Sequence, residues 1–386
     1  MTTAPALSPT SIRAVEVVLP CIDLDPTVEF FVDRLGFRLD VIMPADDPAV
    51  ALLSGHGMRI RLERGGAGDP GELRLACDEP QARGRNLLTA PNGTRIHLVD
   101  ANPPLVIPDS TPLFELTRDD GDVGGVGRAG MRYRDLLPKR QGGRFIASHI
   151  LIPEAGPVPD YVHHHRVRFQ MIYCAAGWVR VVYEDQGPAF VLHAGDCVLQ
   201  PPGIRHRVLE SSAGMEVVEI GCPAEHETTA EHVITLPTPD LRPDRVFEGQ
   251  RFVRHTAADA VWEPWRSTGF QCRDTGIGAA TDGLAGVRVV RCDRNAARAN
   301  GKAGPECEVL PVTDLVHDGE LLFWFILTGT ATLHTEGRPD EPLGRGAAVA
   351  VPAGAAHRMT ETSADLELLE VTLPAALQIK SAAPPT

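Results

Sequence analysis

A spaced pattern of glycine, proline and histidine occurs twice in the chain, as Gly195, Pro201, Gly203, His206 and as Gly346, Pro352, Gly354, His357. Upstream, Gly177 lies 24 residues before Pro201 and Gly329 lies 23 before Pro352. Self-similarity on this scale implies duplication of one supersecondary unit. Between these marks the residues alternate at a strand's period: Val179, Val181 and Tyr183 share one face, and Trp178, Arg180 and Val182 the other. Gly195-Asp196 lets the chain double back, and Pro201-Pro202-Gly203 breaks the next strand just before His206. The expected fold is mainly β, with two small barrels.

The first copy carries His163-His164-His165. Side chains two apart on a strand point to one face, so His163 and His165 aim inward together, and the strand entering at His206 brings a third imidazole to them. Three imidazoles suit Fe, Zn, Cu or Ni better than Mg or Ca. Neutral ligands leave the metal's charge uncompensated and favour an anionic, chelating substrate. Arg168 is a candidate carboxylate anchor because a guanidinium binds carboxylates bidentately, and Tyr173 is a second candidate.

These residues resemble the cupin superfamily, whose motif H-x-H-x(3,4)-E-x(6)-G is followed by G-x(5)-P-x-G-x(2)-H. His163, His165, Gly177, Gly195, Pro201, Gly203 and His206 match, and Gln170 stands where Glu is usual. The resemblance implies a bicupin of two jelly-roll barrels over 131–222 and 265–376. It makes His163, His165 and His206 metal ligands, with Gln170 either coordinating through its carbonyl or hydrogen-bonding a bound water or substrate. A three-histidine site is similar to those of the thiol, diketone and gentisate-type dioxygenases. That likeness implies one divalent metal, Fe(II) favoured with Zn, Ni, Mn or Cu as alternatives, together with dioxygen and a small-molecule substrate. Two other readings stay open: a non-redox isomerase, lyase or decarboxylase, for which His149 or His193 would be the proton carrier, and a non-catalytic binding barrel. Family analogy further suggests a homodimer.

Counting back from Gly329 places Leu315 at the position of His163, His317 at that of His165 and Leu322 at that of Gln170. Only His317 and His357 remain, with Glu320 nearby, so the second barrel is expected to be packed and metal-free.

Residues 13–104 read as strand, helix, then three strands, with Asp25-Pro26 starting the helix and Gly36 ending it. "LPCIDLDPTVEFFVDRLGFRLDV" and "TAPNGTRIHLVD" resemble the glyoxalase/bleomycin-resistance, or vicinal oxygen chelate, fold, an α+β module. By that resemblance Glu16, Glu63 and His97 are a possible second site; a module kept only for packing or dimerisation is the alternative. Its second half is expected to lack a helix.

The chain has 386 residues and a formal charge of −14, which opposes nucleic-acid or anionic-membrane partners. No apolar run approaches a membrane span and the first ten residues lack a signal peptide's pattern, so a cytoplasmic location is expected. The eight cysteines form no C-x-x-C pair and read as packed thiols, with Cys174 and Cys197 inside the proposed barrel. By composition 105–130 and 223–264 are linkers, and 1–12 and 377–386 are tails.

Overall fold

The computed structural model describes residues 12–83, 86–121, 124–293, 306–307 and 314–381. Of the expected tails, 1–12 and 377–386, residues 1–11 and 382–386 lie outside this range. The chain divides into two compact units, up to Pro104 and from Leu105 onward.

The first unit runs β1 (Val17–Cys21), α1 (Leu24–Glu29), β2 (Arg38–Met43), β3 (Val50–Gly55) and β4 (Met58–Arg64), in the order anticipated. Its sheet is ordered β1-β4-β3-β2, with β1 and β4 parallel. Alternation explains the burial: Ile60 and Leu62 are fully buried beside Phe31 and Leu53, while Arg59, Arg61 and Glu63 face the other way. A second sheet holds β5 (Glu72–Cys77), β6 (Leu87–Thr89) and β7 (Arg95–Asp100) in the order β5-β7-β6. Among the described residues a short 3-10 turn, Pro80–Arg83, follows β5.

The second unit contains two barrels, each of two facing sheets. In the first, one sheet runs from Val253–His255 through Cys197–Leu199, Phe169–Ala176, Met215–Cys222, Ile146–Ile152 and Arg132–Asp135 to Gly125–Val126. The facing sheet runs from Phe190–His193 through Trp178–Tyr183, His206–Ser211 and His163–His165 to Thr228–Ala230. The second barrel repeats the register: His163 pairs with His206, and Leu315 with His357. Gly177 and Gly329 both adopt positive φ, and a Cβ on either would collide with a serine hydroxyl and the backbone of Met215 or Leu366. Only glycine meets both demands.

The stretches read as linkers are a correction. Glu115–Thr117 pairs with Ala348–Val351 of the second barrel, and Gly125–Val126 completes the first barrel's large sheet. Thr228–Ala230 and Val253–His255, also read as linker, are strands of the first barrel. Ile379–Ser381, read as tail, pairs with Leu315–His317. All of them are short strands at the edges of their sheets, set among Pro- and Gly-containing loops, which composition alone does not separate from linker. A shared core of Phe145, Phe169, Met171 and Val218 from one barrel with Phe323, Phe325, Leu369 and Val371 from the other joins the two.

Candidate metal centre

His163 and His165 sit on one short strand and are buried, while His164 between them turns to the opposite face and is partly exposed. His206 begins the neighbouring strand and is cross-strand partner to His163. The ring centroids lie 4.3 Å apart for His163 and His206, 5.1 Å for His163 and His165, and 5.3 Å for His165 and His206. Among the described residues these three form the one group of His, Cys, Asp or Glu side chains whose ligand atoms all lie within 4.8 Å of one another.

Each imidazole is oriented by its outer nitrogen. His163 Nδ1 donates to the Tyr161 carbonyl at 2.8 Å, and His206 Nδ1 donates to the Ile204 carbonyl at 3.0 Å. His165 Nδ1 lies 2.9 Å from the Thr228 hydroxyl. A carbonyl accepts only, so His163 and His206 carry their proton on Nδ1 and offer Nε2 as a lone pair. His163 Nε2 is buried with no hydrogen-bond partner among the described residues. An orphaned buried nitrogen in a cluster of this kind fits a bound metal. Burial, then mutual repulsion among the rings, holds His165 at about 2 and His206 well below the ordinary value. Burial and the Arg128 guanidinium likewise lower His163. All three are therefore neutral, as ligands must be.

His165 and His206 line a cavity of about 420 Å³ inside the first barrel. Val179, Val181 and Tyr183 face inward as alternation predicts, and Tyr183 stacks on His206 with centroids 5.5 Å apart. Glu219 is the single acidic residue on the lining. It accepts a hydrogen bond from Gln170 Nε2 at 2.5 Å, and burial raises its carboxyl above the ordinary carboxylate range.

The other expected residues are elsewhere. Gln170 turns its amide to Glu219. Arg168 points to the boundary between barrels, where Nη1 and Nη2 bind Glu320 at 2.9 and 3.1 Å beside Arg144. Tyr173 is buried in the shared core, its hydroxyl 3.3 Å from Arg273 Nη2. Neither lines the histidine cavity: Tyr173 lies on the opposite face of its strand from Ile172, and Arg168 sits in the bend before that strand. His149 is held between Arg134 and Glu216, and His193 is exposed. Cys174 and Cys197 are buried, with Cys174 pushed up to about 12 and Cys197 also raised, so both are thiols.

In the first unit, Glu16 lies beside Arg59 at 3.5 Å, Glu63 is bound by Arg61 at 2.5 Å, and His97 approaches Glu72 at 3.8 Å. Register places Pro20 opposite Glu63, four residues from Glu16 and so roughly 13 Å along the strand. The three do not converge. Strand alternation assigned a face correctly, but separation along the strand decides convergence.

Sequence reasoning missed Arg128, Thr228 and His226, all in stretches read as linker. Arg128 pairs with the buried Asp160 and reaches within 3.4 Å of His163 Nδ1. His226 stands against His165, centroids 5.4 Å apart, its Nδ1 donating to the Pro223 carbonyl. Only the folded chain brings them to the site.

In the second barrel His317 Nε2 donates to the Val351 carbonyl at 2.9 Å, and its Nδ1 accepts from Gly319 N–H at 3.2 Å. Both nitrogens are engaged. Glu370, buried and cross-strand partner to Trp324, is gripped by Arg266 and by Trp324 Nε1. Glu219 has the same place opposite Ile172.

Residues 149–221 and 308–372 match the family model of the cupin domain. The chain carries two cupin domains. Among solved structures, salicylate 1,2-dioxygenase from Pseudaminobacter salicylatoxidans has 14% identity and a TM-score of 0.50, covering 72% of this chain and 90% of that one. Oxalate decarboxylase from Lactobacillus farciminis has 13% identity, coverage of 72% and 89%, and a TM-score of 0.46. Protein Ylba from E. coli has 11% identity, coverage of 69% and 93%, and a TM-score of 0.46. No curated protein sequence matches the chain. The likeness to the first of these speaks for fold alone, and what each cupin barrel does rests on its own side chains. Among the described residues no helix is long and apolar enough to cross a membrane.

Proposed function

We propose that the first cupin barrel is a mononuclear metal centre, with Fe(II) favoured, and that the protein is a non-heme dioxygenase acting on a small anionic chelating substrate. The orphaned Nε2 of His163 within the three-histidine cluster carries this reading. His163, His165 and His206 would hold the metal, which when bound supplies Lewis acidity and, for iron, one-electron chemistry with dioxygen. Neutral ligands leave that charge to be met by the substrate's own anion. The Tyr161 and Ile204 carbonyls and the Thr228 hydroxyl fix the rings, and the apolar barrel wall excludes water.

One observation favours a second reading, a metal-dependent lyase, decarboxylase or isomerase. Glu219, half-buried on the cavity wall with its carboxyl raised by burial, is the proton carrier such chemistry needs. His317 engages both nitrogens within the protein, so the second barrel is read as structural and metal-free. The first unit is read as a vicinal oxygen chelate-like module without a site of its own, on the strength of its βαβββ order and the ion pairs that occupy Glu16 and Glu63.

The test is metal content after gentle purification, in the natural protein and in His163→Ala and His317→Ala. Near-stoichiometric iron, lost in the first variant and kept in the second, is expected, followed by oxygen uptake in a substrate screen. Zinc with turnover under nitrogen moves the assignment to the non-redox reading, and absence of metal from all three overturns both.

A further inference from the structure

The two barrels of this chain are an internal comparison, one open and one filled. At matching register the first has Gln170, Ile172 and Glu219 where the second has Leu322, Trp324 and Glu370. Trp324 is 3% exposed, edges against His357 with centroids 5.6 Å apart, and donates to Glu370, which Arg266 neutralises. Those side chains fill the second interior. In the first barrel, isoleucine in place of tryptophan leaves space, and among the described residues Glu219 forms no salt bridge.

The wall of that space is divided by polarity. At the histidines Thr228 bonds His165, His226 packs on it, and Tyr183 stacks on His206 while receiving a hydrogen bond from Gln200; the other polar groups of the wall are Arg128, Arg207, and Ser148 with its cross-strand partner Glu219. Most of the rest of the lining is aliphatic, including Ile150, Ile152, Val179, Val181, Leu192 and Val217. A wholly polar acid would leave this surface without a partner, whereas an apolar body covers it and gains about 0.8 kcal/mol per buried methylene.

We infer that the substrate is amphipathic: an anionic head at the histidine cluster and an aliphatic or alicyclic body of several carbons against the barrel wall. This rests on the metal-centre reading for the position of the head and on the cavity for the body. Arg168 takes no part, being committed to Glu320.

The test uses the full chain and a series of straight-chain carboxylates from acetate to octanoate, with dissociation constants measured by calorimetry on metal-free and on zinc-loaded protein. Affinity is expected to rise roughly two- to fourfold per methylene in both forms, with zinc strengthening every member by a common factor. A methylene slope without any effect of zinc leaves the apolar body against the barrel wall standing and overturns the metal-centre reading, and with it the placement of the head. Affinity independent of chain length, with or without an effect of zinc, overturns this inference. Ile172→Trp, which imports the second barrel's filler, is expected to flatten the slope while near-ultraviolet circular dichroism and Tm report an intact fold. A slope surviving in folded Ile172→Trp protein places the chains outside the cavity and also overturns it. Should that variant not fold, Leu192→Phe narrows the same wall from the facing sheet and reads the same slope.

Discussion

Gln170 donates from Nε2 to the Oε1 of Glu219 at 2.5 Å, across the paired strands Phe169–Ala176 and Met215–Cys222. The residue standing where cupins usually carry a glutamate is thereby the hydrogen-bond donor to another carboxyl. Restoring the usual residue with Gln170→Glu sets two carboxyls in that contact, and one must stay protonated. The metal-free variant is expected to be about 1–3 kcal/mol less stable than the natural protein, with part of the loss recovered on adding zinc. Urea unfolding with and without zinc measures both. Equal stability without metal would show that the two side chains are not in contact.

Acid should weaken the metal-free protein through its buried histidines. His165 is held at about 2 and His357 at about 4, burial being the main cause. The unfolded chain takes up protons near the ordinary value of about 6.5, and the folded chain does not. Stability is therefore intact above that pH and falls as pH is lowered, by up to about 1.4 kcal/mol per pH unit for each such histidine. Glu219, with its raised carboxyl, works in the opposite sense. In His357→Gln the urea midpoint is expected to fall less steeply between pH 6.5 and 4 than in the natural protein; identical pH profiles would mean that His357 protonates in place.

Arg266 and Glu370 form a bidentate ion pair with a fully buried carboxylate. Arg266→Met strands that carboxylate and should cost about 3–5 kcal/mol. Glu370→Gln in the same background is expected to recover much of the loss. Thermal unfolding of the double-mutant cycle decides, and strictly additive losses would contradict the pairing.

Arg168 is a brace between barrels. Its side chain and that of Glu320 are about 30% exposed, at 28% and 33%, so the pair is partly screened and Arg168→Ala should cost no more than about 1 kcal/mol. Metal content and carboxylate affinity are expected to be unchanged. A tenfold loss of carboxylate affinity would return Arg168 to the site.

Much of this was legible because β structure writes its geometry locally. Period-2 alternation put His163 and His165 on one face and His164 on the other, and the repeated glycine and proline positions marked both barrels, since positive φ at Gly177 and Gly329 leaves little choice of residue. The strand order of the first unit followed from the same rules. The contributions of Thr228, His226 and Arg128 were not legible, because they reach the histidines by pairing and packing of segments whose composition is that of a linker. Tyr173 is near the motif in sequence, yet a one-residue step on a strand turns its side chain to the other face of the sheet, and Arg168 lies in the bend before that strand, where it binds Glu320. Glu219 was invisible for the same reason: only cross-strand register with Ile172 places it on the cavity wall. The chain alone determined which residues repeat and which share a face. Tertiary structure decided which faces meet, because register and strand exchange between the barrels depend on contacts far apart in sequence.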